Sequence, residues 1–154
     1  MIAHLMIALD GSRPSLNAAF YALALAHELH SKVTLLSVLP PPELLPLGPL
    51  SGYVALRMAR SDEDVAKIKA LFAELSAEHP ALEVVRAVEV GPVTETICAY
   101  AERNGVELIV MGARGLGMTR QLLLGSVSHQ VVQHAHCPVL VWRGSPARRE
   151  PAHL

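Results

Sequence analysis

Aromatic side chains are scarce in this chain of 154 residues, at 4% of the total. The few present are Phe20, Tyr21, Tyr53, Phe72, Tyr100 and Trp142, which offer no platform on which successive single-stranded bases would stack. Excess charge of either sign is also missing. Lys plus Arg total 13 against 14 for Asp plus Glu, a formal charge of -1, so no broad field exists to hold a nucleic acid or an anionic membrane. Neither partner is expected. Only two cysteines occur, Cys98 and Cys137, with no CxxC spacing and no apolar leader in the opening MIAHLMIALDGS. A reducing, cytoplasmic location is expected. Gln121 to Trp142 has no Asp, Glu, Lys or Arg, yet it carries Gln121, His129, Gln130, Gln133, His134 and His136 and is broken by Gly125 and Pro138. That polar content excludes a membrane span.

What the chain does have is aliphatic mass. At 51% apolar it suits one packed core built from Ala, Leu, Val and Ile. Short aliphatic runs alternate with segments of helical period, the pattern of βαβ units and a mostly parallel sheet. Five runs read as strands: Ile2 to Leu9, Lys32 to Leu39, Glu83 to Val90, Leu108 to Met111, and Pro138 to Trp142. Between them, Leu16, Phe20 and Leu23 share one helical face after the turn-forming Asp10-Gly11-Ser12, with Pro14 tolerated in the first turn. Ser61-Asp62-Glu63-Asp64 resembles a helix cap, followed by the stripe Val65, Ile68, Leu71, Phe72 and Leu75. Gly91-Pro92 opens a helix with Val93, Ile97 and Tyr100 inward and Asn104-Gly105 at its end. A last helix spans about Ser126 to Ala135, with Val127, Val131, Val132 and Ala135 inward. Pro40 to Gly52 holds five prolines and two glycines, which predicts a long loop without regular structure, either a lid or a plain connection. Residues 1–143 read as one domain, and 144–154 as a disordered tail.

In an open parallel sheet, ligands bind beyond the carboxyl ends of the strands where the connections change direction. The fourth strand runs into Met111-Gly112-Ala113-Arg114-Gly115, and Gly125-Ser126 follows at a helix start. Glycines let backbone amides approach an anion, and a helix N-terminus adds N–H groups and partial positive charge. The competing reading gives these glycines only to turns and Ser126 to an ordinary cap. No GxxxxGK[ST] is present, and no GxGxxG follows the first strand. Asp10, Ser126 and His129 have the residue types of a catalytic triad, but Leu124-Gly125-Ser126-Val127-Ser128 is not a G-x-S-x-G elbow. His134, His136 and Cys137 suggest zinc only with a fourth ligand from elsewhere, and solvent-facing histidines are the better reading.

Gly112-x2-Gly115-x9-Gly125-Ser126 resembles the ATP-binding motif G-x2-G-x9-G-(S/T) of the universal stress protein family. MIALDGS, KVTLLSVLP, VGPVTETICAYA, ELIVMGARGLGMTRQLLLGSVSHQVV and CPVLVWR resemble that family in order, over nearly all of residues 1–143. The resemblance implies a single-domain, Rossmann-like α/β sandwich of the adenine nucleotide α-hydrolase-like type. Its five-stranded parallel sheet would have the order 3-2-1-4-5, with helices on both faces.

It further implies ATP across the ends of strands one and four, with magnesium held mainly by the phosphates. Gly112, Gly115, Gly125, Ser126 and the Val127 amide would hold phosphates and ribose. Asp10 would accept from ribose hydroxyls, unless it serves as a helix cap. Ala8 and Met111 would line the nucleoside, Val38 would meet the adenine edge, and Arg114 is a candidate phosphate contact. A homodimer through Pro138 to Trp142 is implied, with coverage of that strand by a helix or the tail as the alternative. The implied role is a nucleotide-dependent binding or signalling module. The alternatives are a slow ATPase, an enzyme that phosphorylates itself on Ser126 or Ser128, or a sensor of AMP or cyclic AMP. The PP-loop ATP pyrophosphatases are disfavoured by the lack of SGGxDS after the first strand.

Overall fold

The computed structural model describes residues 1–41, 43–46, 53–57, 62–113 and 124–144. The aliphatic runs form β1 (His4–Ala8), β2 (Lys32–Leu39), β5 (Val84–Val90), β6 (Leu108–Gly112) and β7 (Val139–Trp142), all parallel, in the order β5-β2-β1-β6-β7. Counting these five along the chain, the order is the expected 3-2-1-4-5. The helices are α1 (Arg13–Leu29), α2 (Asp62–Ala77), α3 (Val93–Arg103) and α4 (Ser126–His134). Leu5, Met6, Ile7, Leu35, Leu36, Ile109 and Val110 are fully buried, as continuous apolar strands are when helices cover both faces.

Two apolar layers result. Leu5, Ile7, Leu35 and Val110 pack beneath α1 and α2, while Met6, Ala8, Leu36, Ile109 and Met111 pack beneath α3 and α4. On α2 the expected stripe is buried through Ile68, Phe72 and Leu75, with Val65 and Leu71 packed beside them. Each large side chain buried in this way contributes about 1.5–3 kcal/mol.

Three expectations are corrected. On α1 the face against the sheet is Ser15, Ala18, Ala19, Ala22, Leu23 and Ala26, and Phe20 is 52% exposed. The alanine row lets the helix backbone lie close to the sheet, and that contact outweighs burial of one phenyl ring. On α4, Val131 is buried but Val132 is 49% exposed, because so short a helix presents a narrow face. The proline-rich segment does contain regular structure. β3 (Glu43–Pro46) pairs antiparallel with β4 (Tyr53–Arg57) in a separate two-stranded sheet. Pro46 ends its strand, where a missing N–H is tolerated. Residues 42 and 47–52 of that segment, Ser61 and the tail from 145 lie outside the described residues.

His4 ties β1 to its surroundings. Its Nδ1 lies 3.2 Å from the Asn104 carbonyl oxygen and its Nε2 2.8 Å from Thr34 Oγ1. A carbonyl only accepts, so the hydrogen sits on Nδ1, and Nε2 accepts from the threonine hydroxyl. Burial, with the Lys32 charge adding to it, lowers the His4 pKa below its usual 6.5 against the opposing pull of the Asn104 carbonyl, Glu107 and Glu83. The unfolded chain therefore takes up this proton first as pH falls. The contribution of His4 is complete above pH 6.5 and is lost progressively below it. Urea unfolding between pH 7.5 and 5 should show a stability loss that His4→Gln reduces; an equal slope in the variant would remove His4 as its source.

Candidate functional site

β1 lies at the centre of the sheet, with β2 on one side and β6 on the other, so the chain leaves its carboxyl end at the switch point of the fold. There Ala8 stands in register with Met111. Ala8 and Met111 are buried and Val38 and Val127 half-buried, all four in the layer beneath α3 and α4. Four of the residues expected at the site are thus drawn together on one face of the sheet.

Beyond Ala8, the chain turns sharply at Gly11, whose φ of +83° is the left-handed region that favours glycine. Asp10 accepts the Ser12 N–H through Oδ1 at 2.9 Å. The cap of α1 is Ser12: its Oγ accepts from the Ser15 N–H at 3.3 Å, and its carbonyl accepts from the Ser15 hydroxyl at 2.9 Å. Asp10 therefore holds the turn before the helix, half-buried at the strand end.

The end of β6 is built more tightly. A Cβ on Gly112 would stand 2.8 Å from the Pro14 carbonyl carbon and 2.9 Å from the Ser15 amide nitrogen. Glycine is needed here because the backbone of α1 crosses directly against the strand. The next residue, Ala113, is a junction. Its N–H donates to the Trp142 carbonyl at 2.8 Å, and its carbonyl accepts from the Gly125 N–H at 2.6 Å and the Ser128 hydroxyl at 2.9 Å. Ser128 Oγ also lies 3.0 Å from the Gly125 carbonyl, so its single hydrogen is shared. The start of α4 is thereby fixed beside the ends of β1 and β6.

Gly125 is the N-cap of α4, and no side chain among the described residues caps that helix. Ser126 is its first residue, exposed, rather than the cap that the plainest reading of the sequence assigned to it. Its first-turn amides and the positive end of the helix dipole lie beside Ala113, the residue that follows β6. Thr94 Oγ1 donates to Gln130 Oε1 at 2.9 Å and joins α3 to α4. Arg114 and Gly115 lie outside the described residues. Sequence reasoning missed the packing role of Gly112 and the anchoring role of Ser128; the only available signal for the latter was a serine two positions into a helix after a glycine cap.

Elsewhere, His136 Nε2 meets the Val106 carbonyl oxygen at 3.2 Å, which engages its ring with the backbone. Among the described residues no group of three or more His, Cys, Asp or Glu is placed to hold a metal. Burial pushes the Cys137 thiol pKa up against two backbone hydrogen bonds, and burial with Cys137 and Glu95 raises that of Cys98. No described helix is long and apolar enough to cross a membrane.

A parallel sheet of this order, with helices on both faces, defines a Rossmann-like α/β protein. The model of the Universal stress protein family matches residues 1–143. The chain is 33% identical to universal stress protein YxiE of Bacillus subtilis, over 93% of this chain and 100% of the relative. It superposes on the universal stress protein UspA from Lactobacillus plantarum with a TM-score of 0.76 at 21% identity, covering 92% of this chain and 98% of the other. A universal stress protein solved in complex with cAMP superposes at 0.69 and 22% identity, covering 94% and 99%. The chain belongs to the universal stress protein family.

Gly112→Ala tests the packing at the strand end without any ligand. It should cost about 1–3 kcal/mol in urea unfolding, the range for overpacking. An unchanged midpoint would mean that α1 yields to the added methyl.

Proposed function

We propose that the chain binds ATP at this edge, with magnesium carried mainly on the phosphates, and acts as a nucleotide-dependent binding or signalling module in the stress response. The observation that carries the reading is the start of α4, held by Ala113 just beyond the end of β6, with no side chain among the described residues capping its first-turn amides. Such an end suits a phosphate without any lysine. In this reading Gly112, Gly115 and the Val127 amide meet phosphate and ribose oxygens, the exposed Ser126 hydroxyl donates to them, and Gly125, whose N–H is already given to the Ala113 carbonyl, serves by letting the chain pass close to them. Asp10 accepts from the ribose, Ala8 and Met111 wall the nucleoside, and the backbone of Val38 meets the adenine edge. Arg114 adds a phosphate contact.

The same reading takes residues 1–143 as the working domain and places the protein in the cytoplasm. It makes the chain a homodimer paired through Pro138 to Trp142. β7 supports this: it ends the sheet, and every one of its residues is only partly buried. Trp142 already stacks on Tyr21 of its own chain, with ring centroids 4.6 Å apart, so its outer edge is what a partner would meet.

A second reading, a sensor of AMP or cyclic AMP, is favoured by the relative solved with cAMP. Calorimetric titration with ATP, AMP and cyclic AMP separates the two. ATP with magnesium should bind tightest, and Asp10→Asn should weaken it by about tenfold, the loss of a charge-assisted hydrogen bond. No binding at millimolar nucleotide would remove both readings. The enzymatic alternatives need a different readout, retained label or released phosphate from γ-labelled ATP. Ser128 is a poor acceptor for such a label, being 2% exposed and donating to Ala113. Ser126 is the exposed candidate.

A further inference from the structure

On the opposite face of the sheet, α2 does not close fully over β5. A cavity of about 560 Å³ remains between them, within the range of about 300–1,000 Å³ usual for small-molecule sites. Val65 and Phe72 of α2 and Val88 and Val90 of β5 supply apolar walls. Two cations complete the lining, Lys69 and Arg86. Each interrupts an apolar row. On β5, Val84 and Val88 pack on the core beneath α1 and α2, and strand alternation puts Arg86 on their face. On α2, Lys69 follows Val65 by four residues and precedes Phe72 by three, so all three share a side of the helix.

Neither cation has a carboxylate partner among the described residues, whose ion pairs are Lys32–Glu83, Lys67–Glu63 and Arg103–Glu89. Leu39 closes the lining beside Val90, its partner in register. An apolar groove whose lining includes two exposed cations, without a carboxylate partner among the described residues, and no acid is complementary to a ligand with a hydrocarbon body and one anionic end.

We propose that this cavity binds an amphipathic monoanion, an acyl chain ending in a carboxylate. The chain lies along Val65, Phe72, Val88 and Val90, and the carboxylate is held by Lys69 and the planar fork of Arg86. The site is separated from the nucleotide edge by the whole sheet, since Ala8, Val38 and Met111 belong to the other layer. It stands or falls independently of nucleotide binding.

The test is calorimetric titration of the full chain with dodecanoate below its micellar concentration, beside the cationic amphiphile dodecyltrimethylammonium. Dodecanoate should bind saturably, one per chain, and the cation should not. The K69Q/R86Q double variant changes only exposed side chains and should fold normally by circular dichroism while losing about tenfold or more in dodecanoate affinity. Val65→Trp should fill the cavity and abolish binding, and methyl shifts in the wild type should concentrate at Val65, Val88 and Val90. Four results would overturn the proposal: no saturable binding, equal binding of the cation, methyl shifts centred elsewhere, or full affinity in the double variant. The last would mean that the two stems merely cover the groove.

Discussion

The backbone of Ala113 holds the site together. Its N–H and carbonyl between them engage β7, the cap of α4 and the Ser128 side chain. Ala113 and Gly125 are well apart in the sequence, and a contact of 2.6 Å joins them. Whatever the intervening residues do, the helix start cannot drift from the strand ends. Loop closure is a modest entropic cost that grows slowly with length, and a short hydrogen bond reinforced by a buried serine offsets part of it. An edge built from backbone atoms needs such an anchor, because it has few side chains with which to correct its geometry.

Much of the fold was legible because the strands are buried on both faces. Lys32 to Leu39 and Leu108 to Met111 read as continuous apolar runs, and β2 and β6 fall there almost to the residue. The stripe on α2 was equally plain. What was hidden depended on contacts distant in sequence. Phe20 fits a helical repeat, yet the alanine row beside it decides which side faces the sheet. The β3–β4 hairpin was obscured by prolines, which mark where strands end as readily as where they are absent.

The site divides in the same way. Spacing placed a helix start at Ser126, a local chain feature, and α4 begins there. It could not say why Gly112 lacks a side chain, because the answer is the backbone of Pro14 and Ser15 nearly a hundred residues earlier. Nor could it separate the tasks of Asp10 and Ser12, which share one turn but play different parts in it. The net charge of -1 hides a further arrangement: Lys69 and Arg86 stand in apolar rows on one face, while the acids that balance them in the total are placed elsewhere.

Trp142 is the sole tryptophan of the chain. It stands in register with Gly112, its carbonyl receives the Ala113 N–H, and its indole lies on the Tyr21 ring at 28° with its own N–H buried and unpartnered. A fluorophore in that position shares a hydrogen bond with the junction that fixes the start of α4, and has a neighbouring phenol able to pass excitation to it. The protein thus carries an intrinsic optical reporter wired to the edge of its sheet, and movement there can be followed by emission without attaching any dye.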